Sequence, residues 1–364
     1  MPPQKSLSQP SEWPTLAGFR FLLALYVLGG HAGWLFSAMP KSIESLMLGG
    51  PSPAVLGFFV VSGYSIAASV GRHADYYKRR AIRILPVYYM CLAVAVAAVF
   101  TWPEHGGLPK RMLLVNMLLL QGVFSVPAYY GFGQSWSLVC EVAYYLVAPL
   151  LNRLKTAGAL TVTALSVITY FCMLARPCNF PLMQAGEAAV CLAWAWLIGF
   201  LYYKNRTHRW GQWLLAAGYT LIAVCGMFAS LRLIGSGNLL AGYRLLGQFN
   251  VWLNCLLIVV TPAVFFAASR LRQAPTVSVI LNYLGDISYP LYLVHIPILT
   301  TLSLNHATTH VWIASAVAIF AAVIINAIDQ PTQRRRKLSY SPALTLSPAP
   351  STPLTSTPES VPVD

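Results

Sequence analysis

Charge is what this chain has least of. Only 9% of its 364 residues are charged while 57% are hydrophobic, a balance that a water-soluble domain of this length does not tolerate. Acid is scarcer still: ten Asp and Glu stand against 24 Lys and Arg, for a net charge of +14. That excess calls for no nucleic acid, because the cations lie in short segments between apolar runs and form no basic domain of their own. Cysteine is sparse, seven residues scattered through apolar sequence without ligand spacing, which argues against a metal centre. Most read as buried small hydrophobes, and Cys172 with Cys178 is the one pair placed to bridge near a common face. A glycine-rich nucleotide loop is missing, as is any internal repeat, so neither a metal nor a bound cofactor is expected.

What the chain has is long apolar runs, at 15–37, 54–70, 84–102, 136–151, 160–175, 188–203, 210–230, 251–268, 277–302 and 311–328. They predict an all-α polytopic membrane protein with about ten transmembrane helices, several of them short for a straight crossing. The segment 112–124 is apolar but brief. Counting it as a span would carry the cations of every later loop to the opposite side, so it is expected to be re-entrant or surface-lying on the outer face. With ten spans, both termini are cytoplasmic. Arg20 and His31 inside the first run favour a retained helix over a signal peptide. The expected organisation is an N-terminal cytoplasmic tail at 1–13, a membrane domain at 14–331 and a disordered Pro/Ser/Thr-rich cytoplasmic tail at 332–364.

Ionisable residues within spans are costly and tend to line cavities. In "GFRFLLALYVLGGHAGWLF", Arg20 and His31 lie eleven residues apart, three turns plus roughly 20°, so they share one helix face about 16 Å apart along the axis. His31 reads as a functional imidazole or as a histidine bonded between helices. Glu141, in "SWSLVCEVAYYLVAPLL", is a carboxylate that would cost about 2.5–3.5 kcal/mol without a partner. It either orients an imidazole or neutralises a structural cation, with Arg20 and His31 as possible partners. In "LGDISYPLYLVHIPI", Ser288, Tyr292 and His295 fall at i, i+4 and i+7, a polar stripe that serves helix packing or borders a pocket. Lys78, Arg79, Arg80 and Arg83 crowd "YYKRRAIRILPVYY", where they orient the chain across the bilayer, and Pro86 is expected in the first turn of the span it opens.

These stretches, with "GFFVVSGYSIAASVGRHADYYKRRAIRILPVYY" and the closing "DQP", resemble in order and spacing the landmarks of the acyltransferase 3 family of integral-membrane acyltransferases. The resemblance runs from about Leu16 to Pro331. It implies that His31 is the essential first-span histidine, that Arg20 is the arginine preceding it, and that Arg80 and Arg83 serve the acyl-coenzyme A donor. It matches Glu141 to the acidic residue after the Trp136-Ser137-Leu138 motif. Departures are Val142 in place of a second acidic residue, Tyr144 in place of an aromatic that is usually Phe, and Asp329-Gln330-Pro331 in place of Glu-x-Pro.

Arg80 and Arg83, at i and i+3, would grip phosphate oxygens, while Lys78 and Arg79 would meet lipid headgroups. His31 would act as general base and Glu141 would support its imidazolium. Ser62, Trp136, Ser137, Ser288, Tyr292 and His295 are candidates to bind the acceptor or the oxyanion. The family implies transfer of an acyl group, most often acetyl from acetyl-CoA, to a sugar hydroxyl of an exopolysaccharide or its lipid-linked repeat, at the bacterial inner membrane. The xanthan-type acetyltransferases are the most similar members in length and compactness. A transporter or flippase for a lipid-linked saccharide is the competing class.

Overall fold

The computed structural model describes residues 12–36, 52–71, 75–102, 109–123, 126–174, 185–208, 251–270, 273–306 and 310–339, with isolated positions between 210 and 237. Among these the chain is all-helical: α1 (Trp13–Leu35), α2 (Ser52–Ser69), α3 (Tyr76–Val99), α4 (Lys110–Met117), α5 (Trp136–Arg153), α6 (Thr156–Leu174), α7 (Ala185–Cys191), α8 (Ala193–Asn205), α9 (Val251–Arg270), α10 (Pro275–Leu304) and α11 (Val311–Ser339). Five stretches among the described residues are long and apolar enough to cross a membrane: α1, α3, Gly186–Asn205 across α7 and α8, α10, and Val311–Pro331 of α11. Ala54–Ser69 and Thr156–Cys172 are apolar but shorter. The expected run at 210–230 is described only at isolated positions, and Cys178 of the possible bridge lies outside the described residues.

Two boundaries differ from expectation. Helix α3 begins at Tyr76, so the cations Lys78 to Arg83 belong to the helix itself and Pro86 sits in its interior. Pro86 withdraws the N–H that would meet the Ile82 carbonyl, a loss that neighbouring groups make tolerable within a membrane bundle; two residues on, the Tyr289 hydroxyl of α10 donates to the Ile84 carbonyl at 3.3 Å and ties the helices together there. Helix α11 continues through Pro331 to Ser339.

The segment expected not to span contains α4, whose eight residues reach only about 12 Å. Asn116 holds it in place. The buried amide donates to the Met112 carbonyl at 2.8 Å and accepts from the Tyr129 N–H at 3.0 Å, while the Tyr88 hydroxyl of α3 donates to the Asn116 carbonyl at 2.7 Å. Gln121 donates to Ser135, and Gln134 donates to the Leu293 carbonyl of α10. The turn entering α5 is thereby fixed against α10.

Helix packing follows the small residues, as expected where lipid removes the hydrophobic drive between helices and close van der Waals contact must replace it. Helices α1 and α10 run side by side, as do α2 with α8 and α10 with α11. At the α2–α8 crossing the backbones nearly touch: a Cβ on Gly63 would stand 1.9 Å from the Trp196 carbonyl oxygen, and one on Gly199 2.0 Å from that of Val60. Trp196 and Phe200 stack at 5.1 Å on the same helix.

Gly199→Leu is expected to exceed the roughly 1–3 kcal/mol of ordinary overpacking, because the obstacle is backbone and cannot turn aside. It should abolish the monodisperse fraction in detergent. Gly158→Ala on α6, whose Cβ would meet Leu154 only at 3.8 Å, should elute as wild type.

Candidate active site

A cleft of about 760 Å³, measured with its open mouth, lies among α1, α2, α3, α5 and α10. Arg20 of α1 and Arg80 and Arg83 of α3 line it, and Glu141 of α5 is its carboxylate. Three guanidiniums from two helices thus face one lining acid, with the Asp286 carboxylate of α10 acting on Arg20 from outside the lining. The carboxylate is already committed: Glu141 Oε1 accepts from Ser62 Oγ at 2.7 Å and from the Tyr145 hydroxyl. Arg80 donates from one terminal nitrogen to Ser69 Oγ and lies 5.7 Å from the Tyr76 ring centroid and 5.8 Å from that of Tyr145. Its Nε is buried without a hydrogen-bond partner. Unsatisfied buried donors are costly, so the cleft holds both surplus positive charge and a donor available to an anionic ligand.

The cleft's lining continues past the charges to Phe58, Ser137 and Tyr292. Ser137 Oγ and the Tyr292 hydroxyl are 2.7 Å apart, and the Tyr292 hydroxyl also donates to the Gln134 carbonyl at 3.2 Å. Behind Tyr292, 6.1 Å away between ring centroids, is His295, fully buried. His295 Nε2 lies 3.0 Å from His31 Nδ1. Unbroken helicity in α1 keeps Arg20 and His31 on the one face their spacing requires, about 16 Å apart along the axis. The arginines and the imidazoles are therefore two ends of a single stripe, with Tyr292 and Ser137 between them.

Of the residues singled out from sequence, Arg20, Ser62, Arg80, Arg83, Ser137, Glu141 and Tyr292 converge on the cleft. His31 and His295 pair beyond its inner wall. Two do not join: Ser288 Oγ donates within its own helix to the Gly285 carbonyl at 2.6 Å, and Trp136 packs half-buried against the apolar core. Glu141 is not hydrogen-bonded to His31. Its Oε1 accepts instead from Ser62 of α2 and from Tyr145 of its own helix. Tyr145 was missed by sequence reasoning, although its place four residues after Glu141 puts the two side chains on one helix face. Tyr289, another lining residue, lies one position from the stripe traced through Ser288 and Tyr292 and carried no signal of its own.

This arrangement, a cationic cleft within a membrane bundle and a histidine pair beyond its inner wall, is compatible with a membrane-embedded group-transfer enzyme. An acyltransferase-domain family model matches residues 13–328, and the chain belongs to the acyltransferase 3 family of membrane acyltransferases. It is similar to the acyltransferase MdmB of Streptomyces mycarofaciens, 35% identical over 39% of this chain and 39% of that protein. It is 26% identical, over 78% of this chain and 82% of the relative, to the protein of Acidianus two-tailed virus named "Putative acetyltransferase ORF330". Nodulation protein 10 of Rhizobium leguminosarum bv. viciae is 28% identical over 39% of this chain and 46% of its own length. MdmB and Nodulation protein 10 are thus matched over less than half their length. No solved structure matches the chain.

Because Ser62 and Tyr145 share one carboxylate oxygen, their removal should be non-additive. Ser62→Ala and Tyr145→Phe are each expected to cost about 1–2 kcal/mol. The double variant should depart from the sum by at least about 0.5 kcal/mol in a double-mutant cycle of thermal unfolding.

Proposed function

We propose that the protein is a membrane O-acyltransferase that carries an acyl group, acetyl first, from acyl-coenzyme A to a sugar hydroxyl of an exopolysaccharide or its lipid-linked repeat unit. The observation carrying this reading is the excess of guanidinium over carboxylate in the cleft. Three arginines held together in a low-dielectric bundle repel one another and are satisfied by a polyanion, and planar guanidinium forks suit phosphate oxygens. The phosphates of the donor dock at Arg80 and Arg83, with Arg20 beneath them. The flexible arm then extends along the stripe toward His31, passing Phe58 and Tyr292. This reading places about ten spans in the bacterial inner membrane, termini and arginine cleft toward the cytoplasm and His31 toward the outer side, with the 332–364 tail cytoplasmic.

In the transfer step, His31 accepts the proton of the acceptor hydroxyl as its oxygen bonds to the thioester carbonyl carbon. The tetrahedral oxyanion is met by a hydroxyl donor, Tyr292 or Ser137, which turns its single proton from the Gln134 carbonyl to do so. Collapse breaks the carbon–sulfur bond, and the thiolate leaves with the proton held on His31. The role of Glu141 is to balance the arginines and fix Ser62 and Tyr145 in the wall. The name of the MdmB relative supports acyl transfer and that of the viral relative supports acetyl as the group. Family membership displaces the flippase alternative.

The test is the acetyl content of the host's extracellular polysaccharide, read by proton NMR in a deletion strain carrying wild type, His31→Ala or Arg83→Ala at matched expression. Wild type should restore the acetyl signal. His31→Ala should leave less than about 1% of it, in line with the roughly 10²–10⁴-fold that a general base supplies. Restoration by His31→Ala, or loss of polymer itself on deletion, would contradict the proposal.

A further inference from the structure

The imidazole pair carries more information than proximity. Each ring is tied through Nδ1 to the carbonyl four residues back on its own helix, His31 to Val27 at 3.0 Å and His295 to Leu291 at 3.1 Å. A carbonyl oxygen only accepts, so both Nδ1 atoms bear hydrogen. In neutral His295 the Nε2 is then a bare acceptor, 3.0 Å from His31 Nδ1. The Nδ1–H of His31 is shared between Val27 and His295, and its lone pair resides on Nε2. The alternative states of His295 are worse. A neutral His295 with its proton on Nε2 loses the Leu291 bond and forces His31 Nδ1 to give up Val27. A doubly protonated His295 places a charge on a ring with no solvent exposure, where desolvation opposes it.

We propose that His295 is the positioning residue of His31, fixing its tautomer so that Nε2 is the atom that takes the acceptor's proton. His295 fills the place a carboxylate holds beside the histidine of hydrolase triads, and it does so without burying an anion in the bundle. Leu291 is the anchor that makes His295 an acceptor, the outer hydrogen bond that commonly decides which nitrogen of a histidine is free. As the acceptor oxygen bonds to the thioester carbon, its proton moves to His31 Nε2. The imidazolium's Nδ1–H bond to His295 becomes charge-assisted and stronger. The proton then departs with the thiolate when the carbon–sulfur bond breaks, and the neutral pair is restored. The inference rests on His31 being the base, yet the pairing itself is measurable without turnover.

The full chain, labelled with ring-¹⁵N histidine and held in lipid nanodiscs, is examined by solid-state NMR, with His31 assigned by difference against His31→Gln. The expected spectrum has His31 protonated at Nδ1 and bare at Nε2; a bare Nδ1 overturns the proposal. Kinetics then use labelled acetyl-CoA with the host's deacetylated exopolysaccharide as acceptor. His295→Leu should lower kcat by roughly 10- to 100-fold, a part of what a general base supplies, with KM for acetyl-CoA within about twofold. His295→Gln, whose Oε1 stands where Nε2 did, should recover most of that loss. Unchanged kcat in His295→Leu overturns the positioning role. If wild type itself transfers no acetyl group to the polymer, the polymer falls as acceptor, and the tautomer still decides the pairing.

Discussion

The structure depends on where its few charges go when most of the chain is lipid-compatible. Arg20, Arg80 and Arg83 are drawn to one cleft, and the single carboxylate lining it, Glu141, is held by Ser62 and Tyr145. Guanidiniums in a bundle are tolerable when they face one another's counter-charge, an aromatic ring or a water-filled cavity. Here Glu141 and the cleft itself lie beside them, and Arg80 also has the faces of Tyr76 and Tyr145. The positive surplus that remains is the feature on which the proposal of a polyanionic donor rests.

Helix packing decides what that cleft can reach. Helix α1 lies along α10 with Gly285 against Ala17, so close that a Cβ on the glycine would come within 2.5 Å of the alanine's. The same contact, continued toward the other end of the pair, brings His31 against His295. A separate constraint comes from the connector after α3, where Asn116, Gln121 and Gln134 pin the turn before α5 to its neighbours. That pinning sets Ser137 beside Tyr292, the boundary between the charged cleft and the imidazoles. The amide nitrogens carry this pinning, since Gln121 Oε1 and Gln134 Oε1 are buried without hydrogen-bond partners.

Much of the site was legible from spacing because helical periodicity is a local property. Arg20 and His31 share a face for that reason, and so do Tyr292 and His295. Partner choice was not legible, since it depends on how helices far apart in sequence come together. Glu141 was read as a possible companion of His31; in the structure α2 supplies Ser62 to its Oε1, and the ring hydrogen-bonded to His31 comes from α10. Ser288 belonged to the same polar stripe as Tyr292 yet turned back on its own backbone, which serines within helices do readily. The start of α3 was misplaced because Pro86 looked like a beginning, whereas the cations ahead of it are already helical.

The central claim is that the arginine cleft and the histidine pair are the two ends of one substrate path. Cryo-electron microscopy of the full chain in nanodiscs with a non-hydrolysable thioether analogue of acetyl-CoA tests it most directly. The account predicts phosphate density between Arg80 and Arg83 and the acyl end past Tyr292, within hydrogen-bonding distance of His31. Phosphates bound away from the arginines, or an acyl end halted beside Ser62 with His31 out of reach, would contradict it.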